Sequence, residues 1–349
     1  MLNQEHWPEI KERMMGYWNR EAMDRCTFSI SVKKPGYYGL GGGYEYFEAD
    51  EIHRKNLIRF GNHLYFGDAF PCHFSYFGTA GIAEYTGCKA TRLPHTTWFD
   101  PWLDEPDADQ IHYSCPEAFE AQKAAIARMA ELAKDDYMVS VTDNCGVLDA
   151  LAAIRGTEDL MMDMITDPEF VEEGVQKLLD IYKQTQTELF DLLKENNDGS
   201  VHSWMQLWAP QKLAQMQCDC SVMLSPEMFN RFAMPELEEL TAFLDYPVYH
   251  LDGQEQIRHL DSLLSLKNLR AIQWTPVSGQ PFTSEFIPVL QRIQKAGKNL
   301  VLVPKPWEVE KLLDNLSSRG LHLMLGEYPT QEAALEMIDL IEKHSKDRG

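Results

Sequence analysis

Short apolar runs alternate with longer amphipathic segments along most of the chain. Runs such as 299–303 do not alternate between polar and apolar residues, which is typical of strands that are covered on both faces. On this pattern we predict eight strands, at 26–32, 63–66, 137–142, 213–219, 246–251, 269–274, 299–303 and 321–325. We predict helices at 51–62, 117–134, 168–195, 226–244, 254–266, 285–296, 306–318 and 331–344.

The order of these segments predicts the fold class. Strands that alternate with helices indicate an α/β protein with a parallel sheet and right-handed crossovers. Eight strands favour a closed (β/α)8 TIM barrel over an open doubly wound sheet, and we predict a single domain over 1–349. No glycine-rich phosphate loop follows an early strand, which argues against a dinucleotide-binding fold. Asp167-Pro168, Ser225-Pro226 and Thr330 provide capping residues at three predicted helix starts.

The regular pattern breaks at 70–115, a stretch that is rich in aromatic residues, glycine and proline. A long irregular insertion in a compact domain is usually functional or flexible. Its aromatic side chains suggest a lid, or a platform for a flat or sugar-like ligand, over one end of the barrel. A loop that is held by its own hydrophobic cluster is the alternative, and the pattern does not separate the two.

Charge narrows the classes of partner. The chain carries 32 Lys and Arg against 54 Asp and Glu, a formal net charge of -22. Such a surface repels phosphate backbones and anionic lipid, so nucleic acid and membrane surfaces are poor partners. We expect a small-molecule substrate, and the sequence leaves a homodimer open.

The cysteines and the apolar stretches indicate in which cellular compartment we expect the protein. Seven cysteines are scattered along the chain without a CxxC pair, which favours reduced thiols in a cytoplasmic protein. No apolar stretch reaches the ~20 residues that a membrane helix needs, and the first residues contain no apolar signal segment. We therefore expect a cytoplasmic protein.

Ionisable and polar residues gather where the predicted strands end. In a barrel the active site lies at the carboxyl ends of the strands. Polar groups at such positions must be paired or lose hydration at a cost, which favours a functional reason for them. These positions are Asp68, Asp143, Asn144, Cys218, Asp219, Cys220, His250, Asp252, Gln273, Trp274, Lys305 and Glu327.

His250 and Asp252 are the centre of two alternative chemistries. Side chains two residues apart on a strand face the same way. In one alternative, His250, Asp252 and Glu327 bind a divalent metal, and this mixed nitrogen and oxygen set suits zinc, with manganese or iron as further options. In the other there is no metal, and Asp68 or Asp252 acts as an acid or base beside His250. A strand-end histidine that is only satisfied by a neighbouring aspartate is the structural alternative.

The other residues receive supporting roles. Asp68 and Asp219 are candidate catalytic groups, and Trp274, Gln273, Asn144 and His202 are candidate substrate contacts. Cys218 and Cys220 are either metal ligands or small buried apolar residues. His73, His95, His112, His259 and His344 are interpreted as surface or packing residues.

The chain also resembles the uroporphyrinogen decarboxylase-like superfamily, which includes cobalamin-related methyltransferases. The resemblance covers most of the chain and lies in the order and spacing of several segments. These are Phe66-Gly67-Asp68-Ala69-Phe70, Asp143-Asn144-Cys145-Gly146 through Arg155-Gly156, Asp167-Pro168-Glu169-Phe170-Val171, the run from Cys218 to Phe229, and Tyr249-His250-Leu251-Asp252-Gly253. The resemblance implies a (β/α)8 barrel.

Two branches of this superfamily imply different activities. The decarboxylase branch carries an arginine-rich motif after its first strand, whereas the matching stretch here, 28–36, contains no arginine, which disfavours a porphyrinogen substrate. The methyltransferase branch holds zinc with a His-x-Cys pair and a later cysteine, where this chain has His250-Leu251-Asp252 and Glu327. The resemblance therefore implies methyl or other one-carbon transfer to or from a small molecule, with a metal and with a corrinoid supplied by a partner protein. A metal-free decarboxylase of a small carboxylate and a non-catalytic ligand or corrinoid-protein binder are the alternatives.

Overall fold

The computed structural model describes residues 6–43, 45–142, 144 and 146–348. Within these ranges there are thirteen strands: β1 Thr27–Lys33, β2 His63–Gly67, β3 Cys72–His73, β4 Lys89–Leu93, β5 Thr96–Asp100, β6 Met138–Val139, β7 Ser200–His202, β8 Leu207–Ala209, β9 Leu213–Met216, β10 Tyr246–Asp252, β11 Ala271–Thr275, β12 Asn299–Leu302 and β13 Leu321–Tyr328.

The same ranges contain thirteen α-helices: α1 Trp7–Trp18, α2 Ala49–Gly61, α3 Gly81–Glu84, α4 Pro116–Ala133, α5 Val147–Arg155, α6 Thr157–Thr166, α7 Pro168–Leu193, α8 Pro226–Phe232, α9 Met234–Phe243, α10 Leu260–Ser265, α11 Ile287–Lys295, α12 Val309–Asn315 and α13 Gln331–His344. Short 3-10 turns lie at Ala108–Gln110, Asp219–Met223, Gln254–His259, Thr283–Phe286 and Pro306–Glu308.

A seven-stranded sheet organises the molecule, in the order β2-β1-β13-β12-β11-β10-β9. All neighbours in this sheet are parallel except β2, which runs antiparallel to β1. The prediction of an α/β protein with a mostly parallel sheet is confirmed. Over the described residues β3 pairs with β6 and β7 with β8 in separate two-stranded sheets, so strand pairing does not close the main sheet into the eight-stranded barrel.

The two faces of the sheet are packed differently. One face, here called the outer face, carries large apolar side chains such as Phe28, Leu251 and Ile272 into the core that is shared with most of the helices. The other, the inner face, carries Val248 and Ala271 into a second cluster. Side chains alternate between faces along a strand, so neighbouring residues enter different cores.

The N-terminal helix fills one end of the inner face. Trp7, Met14, Tyr17 and Trp18 of α1 belong to the inner apolar cluster. The Trp18 ring contacts Tyr246, the first residue of β10, with ring centroids 5.1 Å apart. The amino-terminal ends of the parallel strands are therefore closed by apolar side chains, and the polar inner-face residues lie at the carboxyl ends.

Local signals for helix ends are confirmed. The side chains of Asp167, Ser225 and Thr330 accept hydrogen bonds from the backbone N–H groups three residues on, at 3.3, 3.2 and 3.2 Å. The helix predicted at 226–244 is wrong in one respect, because it is divided into α8 and α9. Pro235 has no N–H to donate within a continuous helix, so the break falls beside it.

The insertion at 70–115 is more ordered than we expected. It contains β3, the single-turn helix α3 and an antiparallel hairpin formed by β4 and β5. The hairpin was missed because β4 alternates between exposed and half-buried positions and carries few apolar residues. Whether the insertion acts as a lid stays a prediction. No helix in the described ranges is both long enough and apolar enough to cross a membrane.

Candidate functional site

His250 and Gln273 form the centre of the polar inner face. They are register partners on the neighbouring parallel strands β10 and β11. His250 Nδ1 is hydrogen-bonded to Gln273 Oε1, and Gln273 Nε2 donates to Thr275 Oγ1 at 2.5 Å. In this arrangement the amide oxygen accepts, so His250 Nδ1 is the donor and the lone pair of the imidazole lies on Nε2. His250 is thus oriented as a proton acceptor or a ligand.

Two carboxylates share the electrostatic environment of His250. Asp252 lies two residues further along β10, on the same face. Asp219 follows β9, and its carboxylate accepts a hydrogen bond from Gln217 Nε2 at 3.0 Å. Loss of hydration raises the pKa of Asp219, the interaction with the protonated form of His250 lowers it, and the negative charge of Asp252 raises it. The ends of β9 and β10 therefore bring together three titratable groups.

His202 and Trp204 form the adjoining wall. The Trp204 ring packs edge-on against both histidines, with centroids 5.1 Å from His202 and 5.6 Å from His250. Burial and, to a smaller extent, the nearby His250 lower the pKa of His202 to about 3, although a hydrogen bond with Gln215 opposes this. His202 is therefore neutral at ordinary pH and acts as a packing and hydrogen-bonding group.

Trp204 also borders open space at the mouth of the inner face. It lines a cavity of about 260 Å³ together with Ser29, Ser31 and Tyr65. A larger cleft of about 480 Å³ lies beside this cavity, and Arg59 and His63 line both. The two spaces together, here called the mouth cleft, lie at the carboxyl ends of β1 and β13. Trp204 lines this cavity and also packs against His250, whereas His250 itself lines neither of the two spaces.

Arg59 differs from the two lysines of the mouth cleft because it has no carboxylate partner among the described residues. Lys33 and Lys55, which also line the cleft, are ion-paired with Glu327 and Glu45. Arg59 forms no ion pair with a carboxylate of the described residues, and its guanidinium donates only to Asn56 Oδ1, at 2.8 Å. Although the side chain is accessible from the cleft, the surrounding protein lowers its pKa through loss of hydration. An anionic ligand would supply the missing countercharge.

His73 adds a second polar group to the wall of the mouth cleft. The side chain is buried, and its Nδ1 has no hydrogen-bond partner in the described part of the protein. Burial and, to a smaller extent, the charge of Arg59 lower the pKa of His73 to about 3. A neutral imidazole with an unused ring nitrogen can bond to a ligand without adding charge.

Glu327 does not join His250 and Asp252. The three side chains are not among the groups of possible metal ligands that lie within 4.8 Å of one another in the described residues. Glu327 lies next to β1, where its carboxylate contacts Lys33 Nζ at 2.9 Å and His63 Nε2 at 3.2 Å. In the sheet order, β11 and β12 separate its strand from β10. The three residues therefore do not fit the metal centre that the sequence predicted.

Asp68 lies at the opposite end of the sheet. It is fully buried, contacts Arg25 Nη1 at 2.8 Å and accepts the N–H of Phe28 at 2.9 Å. Because β2 is antiparallel to β1, the carboxyl end of β2 coincides with the amino end of β1. The expectation that Asp68 shares a site with His250 is wrong for this reason.

The remaining predicted contacts divide between the two faces. Gln273 faces inward beside His250, whereas Trp274 points into the outer core, where its ring lies 4.7 Å from that of Phe286. Trp274 is thus not placed to form a wall for a ligand on the inner face. Asn144 is buried and borders the same narrow void as His202. Asp143 lies outside the described residues.

A second cluster lies beside this site, and sequence reasoning named two of its members, Cys218 and Cys220, but missed the third. Asp149, near the start of α5, accepts the backbone N–H of Asp219 at 2.8 Å and that of Cys220 at 2.9 Å. Its carboxylate and the thiols of Cys218 and Cys220 offer ligand atoms that all lie within 4.8 Å of one another. The Cys-x-Cys spacing was a usable signal, but nothing local pointed to Asp149.

The comparisons support the fold. No family model matches the chain, and no curated protein matches its sequence. Among solved structures, a methyltransferase from Methanosarcina mazei superposes with a TM-score of 0.60 at 8% sequence identity, over 96% of this chain and 98% of that chain. At this identity the likeness shows a shared fold over nearly the full length.

Proposed function

We propose that this chain is an enzyme that transfers a methyl or other one-carbon group to or from a small anionic molecule. The mouth cleft would bind the substrate, and His250 would move the proton. The observation that carries the proposal is the hydrogen bond between His250 and Gln273, which leaves His250 Nε2 as a lone pair on the inner face. The fold shared with a methyltransferase supports the choice of reaction class.

For this methyl transfer the protein must orient the acceptor and accept one proton from it. A nucleophilic S–H, N–H or O–H group of the acceptor attacks the methyl carbon, and the bond from methyl to its donor breaks. The acceptor loses its proton as the new bond forms, and His250 Nε2 accepts it. Asp252 and Asp219 would stabilise the imidazolium that results. A methylated corrinoid carried by a partner protein, as the superfamily resemblance implies, would supply the methyl group.

Arg59 supports an anionic substrate. A protein with a net charge of -22 attracts anions poorly at long range. A guanidinium without a carboxylate partner overcomes this locally, because charge-assisted hydrogen bonds are the stronger kind. His73 can add a neutral hydrogen bond on the same wall. The predicted three-ligand metal site is not part of this proposal.

The decarboxylase alternative is weakened in one of its two forms. Asp68 was one candidate for stabilising the protonated intermediate, and its ion pair with Arg25 removes it from the mouth cleft. The form that relies on Asp252 would use the same Arg59 to bind a carboxylate. Release of carbon dioxide therefore distinguishes the two reactions.

The test uses the purified chain and isotope-labelled methyl groups. The protein is incubated with methyl-labelled methylcobalamin and a panel of small carboxylates that bear thiol, amine or hydroxyl groups. Mass spectrometry of the products should show a labelled acceptor that disappears with His250→Asn and persists with His112→Gln, an exposed histidine. Carbon dioxide without a labelled product would replace the proposal with decarboxylation. Tight binding of a panel member with no product would replace it with a non-catalytic role.

A further inference from the structure

Two cysteines and an aspartate lie together at the start of the turn that follows β9. Cys218 Sγ and Cys220 Sγ are 3.6 Å apart, too far for a disulfide bond, whose sulfurs are ~2.05 Å apart. An oxygen of Asp149 completes a group of ligand atoms that all lie within 4.8 Å of one another. Both thiols are buried, and Asp149 is half-buried. This group differs in every residue from the His250, Asp252 and Glu327 set.

The separation of the sulfurs agrees with a tetrahedral metal site. Zinc binds thiolate sulfur at ~2.3 Å, so two thiolates on a tetrahedral ion lie about 3.8 Å apart. The observed 3.6 Å is close to that value without any rearrangement. Asp149 is also held in place, because its two oxygens accept the N–H groups of Asp219 and Cys220. A fixed carboxylate of this kind is what supporting hydrogen bonds provide in known metal sites.

Acidic side chains around the two cysteines and Asp149 are not balanced by basic ones. Glu236 is fully buried beside them, where it accepts the N–H groups of Val147 and Leu148 at 3.1 and 2.7 Å. No lysine, arginine or histidine of the described residues forms an ion pair with Asp149 or Glu236. Buried acids without a countercharge are costly, and a bound cation would remove that cost.

Open space adjoins the group on the side away from the inner core. A cavity of about 420 Å³ is lined by Asp149, Asp219 and Cys220, with Phe99 and Met223 on its rim. A metal held by three protein ligands keeps a fourth position for water or another ligand. The cavity provides the room for that position, and it is an observation independent of the donor atoms.

We propose that Cys218, Cys220 and Asp149 form a binding site for a thiophilic divalent cation, with zinc as the best match, whose fourth position faces this cavity. Two thiolates and one carboxylate are a soft, anionic donor set that favours zinc over magnesium or calcium. Because Asp219 lies between this site and His250, the cation would also reduce the negative charge that His250 meets. The site stands independently of the proposed methyl transfer.

The test measures metal binding by the full chain. Protein stripped with a chelator is titrated with zinc, and bound metal is measured after gel filtration. We expect roughly one equivalent of zinc per chain in the wild type and in Cys26→Ala, the control for a fully buried cysteine elsewhere. Cys220→Ala and Asp149→Asn should weaken zinc binding by about 100-fold or more, since even supporting residues change metal affinity by about 10–100-fold.

Two further measurements use the wild type, so the test does not depend on whether the variants fold. Cobalt added to the stripped wild type should produce a thiolate-to-cobalt charge-transfer band in the near ultraviolet. Zinc should raise the Tm of the wild type and protect two thiols from a thiol-reactive dye. Absence of zinc binding, of the cobalt band and of thiol protection in the wild type would overturn the proposal. Stoichiometric zinc that is lost in His250→Asn and kept in Cys220→Ala would also overturn it, in favour of a metal at His250.

Discussion

His250 Nδ1 is hydrogen-bonded to Gln273 Oε1 across one register pair of β10 and β11. The bond sets the tautomer of His250 and therefore the position of its lone pair. Gln273 Nε2 also donates to Thr275 Oγ1, so both polar atoms of this amide are hydrogen-bonded. Two parallel strands thus hold one imidazole in a defined orientation at their carboxyl ends.

Replacing His250 tests its role in proton transfer. His250→Asn keeps a donor near the position of Nδ1, so the bond to Gln273 can be retained, but it removes Nε2. We expect kcat to fall by about 10²–10⁴-fold with little change in KM, the range for losing a general base. Steady-state kinetics with the labelled-product assay measure this. An unchanged kcat would exclude His250 as the proton acceptor, and His112→Gln serves as the control.

Replacing Arg59 tests the anionic part of the substrate. In Arg59→Gln the guanidinium is lost while a polar side chain remains. We expect KM to rise roughly 10–100-fold with kcat nearly unchanged, because hydrogen bonds to charged groups contribute ~1.5–3 kcal/mol.

Arg54 provides the matched control on the same helix. It is exposed and ion-paired with Glu51, so Arg54→Gln should leave KM unchanged. The Arg59 effect should also be smaller at high salt, since salt screens accessible charges. Equal KM values in the two variants would show that Arg59 does not meet the substrate.

Replacing Asp68 should affect stability rather than chemistry. Asp68→Asn leaves the buried Arg25 without its countercharge, and breaking a buried pair typically costs about 3–5 kcal/mol. Urea unfolding should show this loss, while kcat per folded molecule stays at the wild-type value. The exposed pair of Asp109 and Lys177 gives the comparison, and Asp109→Asn should leave the urea midpoint nearly unchanged. A large fall in kcat for folded Asp68→Asn would restore a catalytic role for Asp68.

His322 should make the unfolding free energy depend on pH. It is fully buried on the inner face and bonded to Thr27, and burial lowers its pKa to about 3 from an ordinary value of 6.5. Between these values the unfolded chain binds the proton and the folded chain does not, so stability falls as pH falls below 6.5.

The slope that His322 contributes is at most about 1.4 kcal/mol per pH unit. Asp149, whose pKa is raised to about 6, acts in the opposite direction between about pH 4 and pH 6, so the wild-type slope alone is ambiguous. The difference between wild type and His322→Gln, measured by urea unfolding from pH 7 to 5, isolates the histidine. A difference that does not change with pH would contradict the low pKa.

Local patterns in the sequence determined much of this protein. Each of the eight predicted strands overlaps an observed strand, although the one predicted at 137–142 is reduced to Met138–Val139. Asp167, Ser225 and Thr330 cap their helices because capping needs only neighbours in the chain. His250 and Asp252 share a face for the same kind of reason, the two-residue period of extended backbone.

Only the tertiary structure decided which strand ends meet. Because β2 runs antiparallel to β1, Asp68 lies at the far end of the sheet. Because β13 lies beside β1, Glu327 contacts Lys33 and His63. Gln273 and Trp274 are neighbours on β11, so the first faces the inner side of the sheet and the second the outer side. Asp149 reached Cys218 and Cys220 from a helix about 70 positions away. Strand direction and order depend on long-range packing, which periods of two or 3.6 residues do not encode.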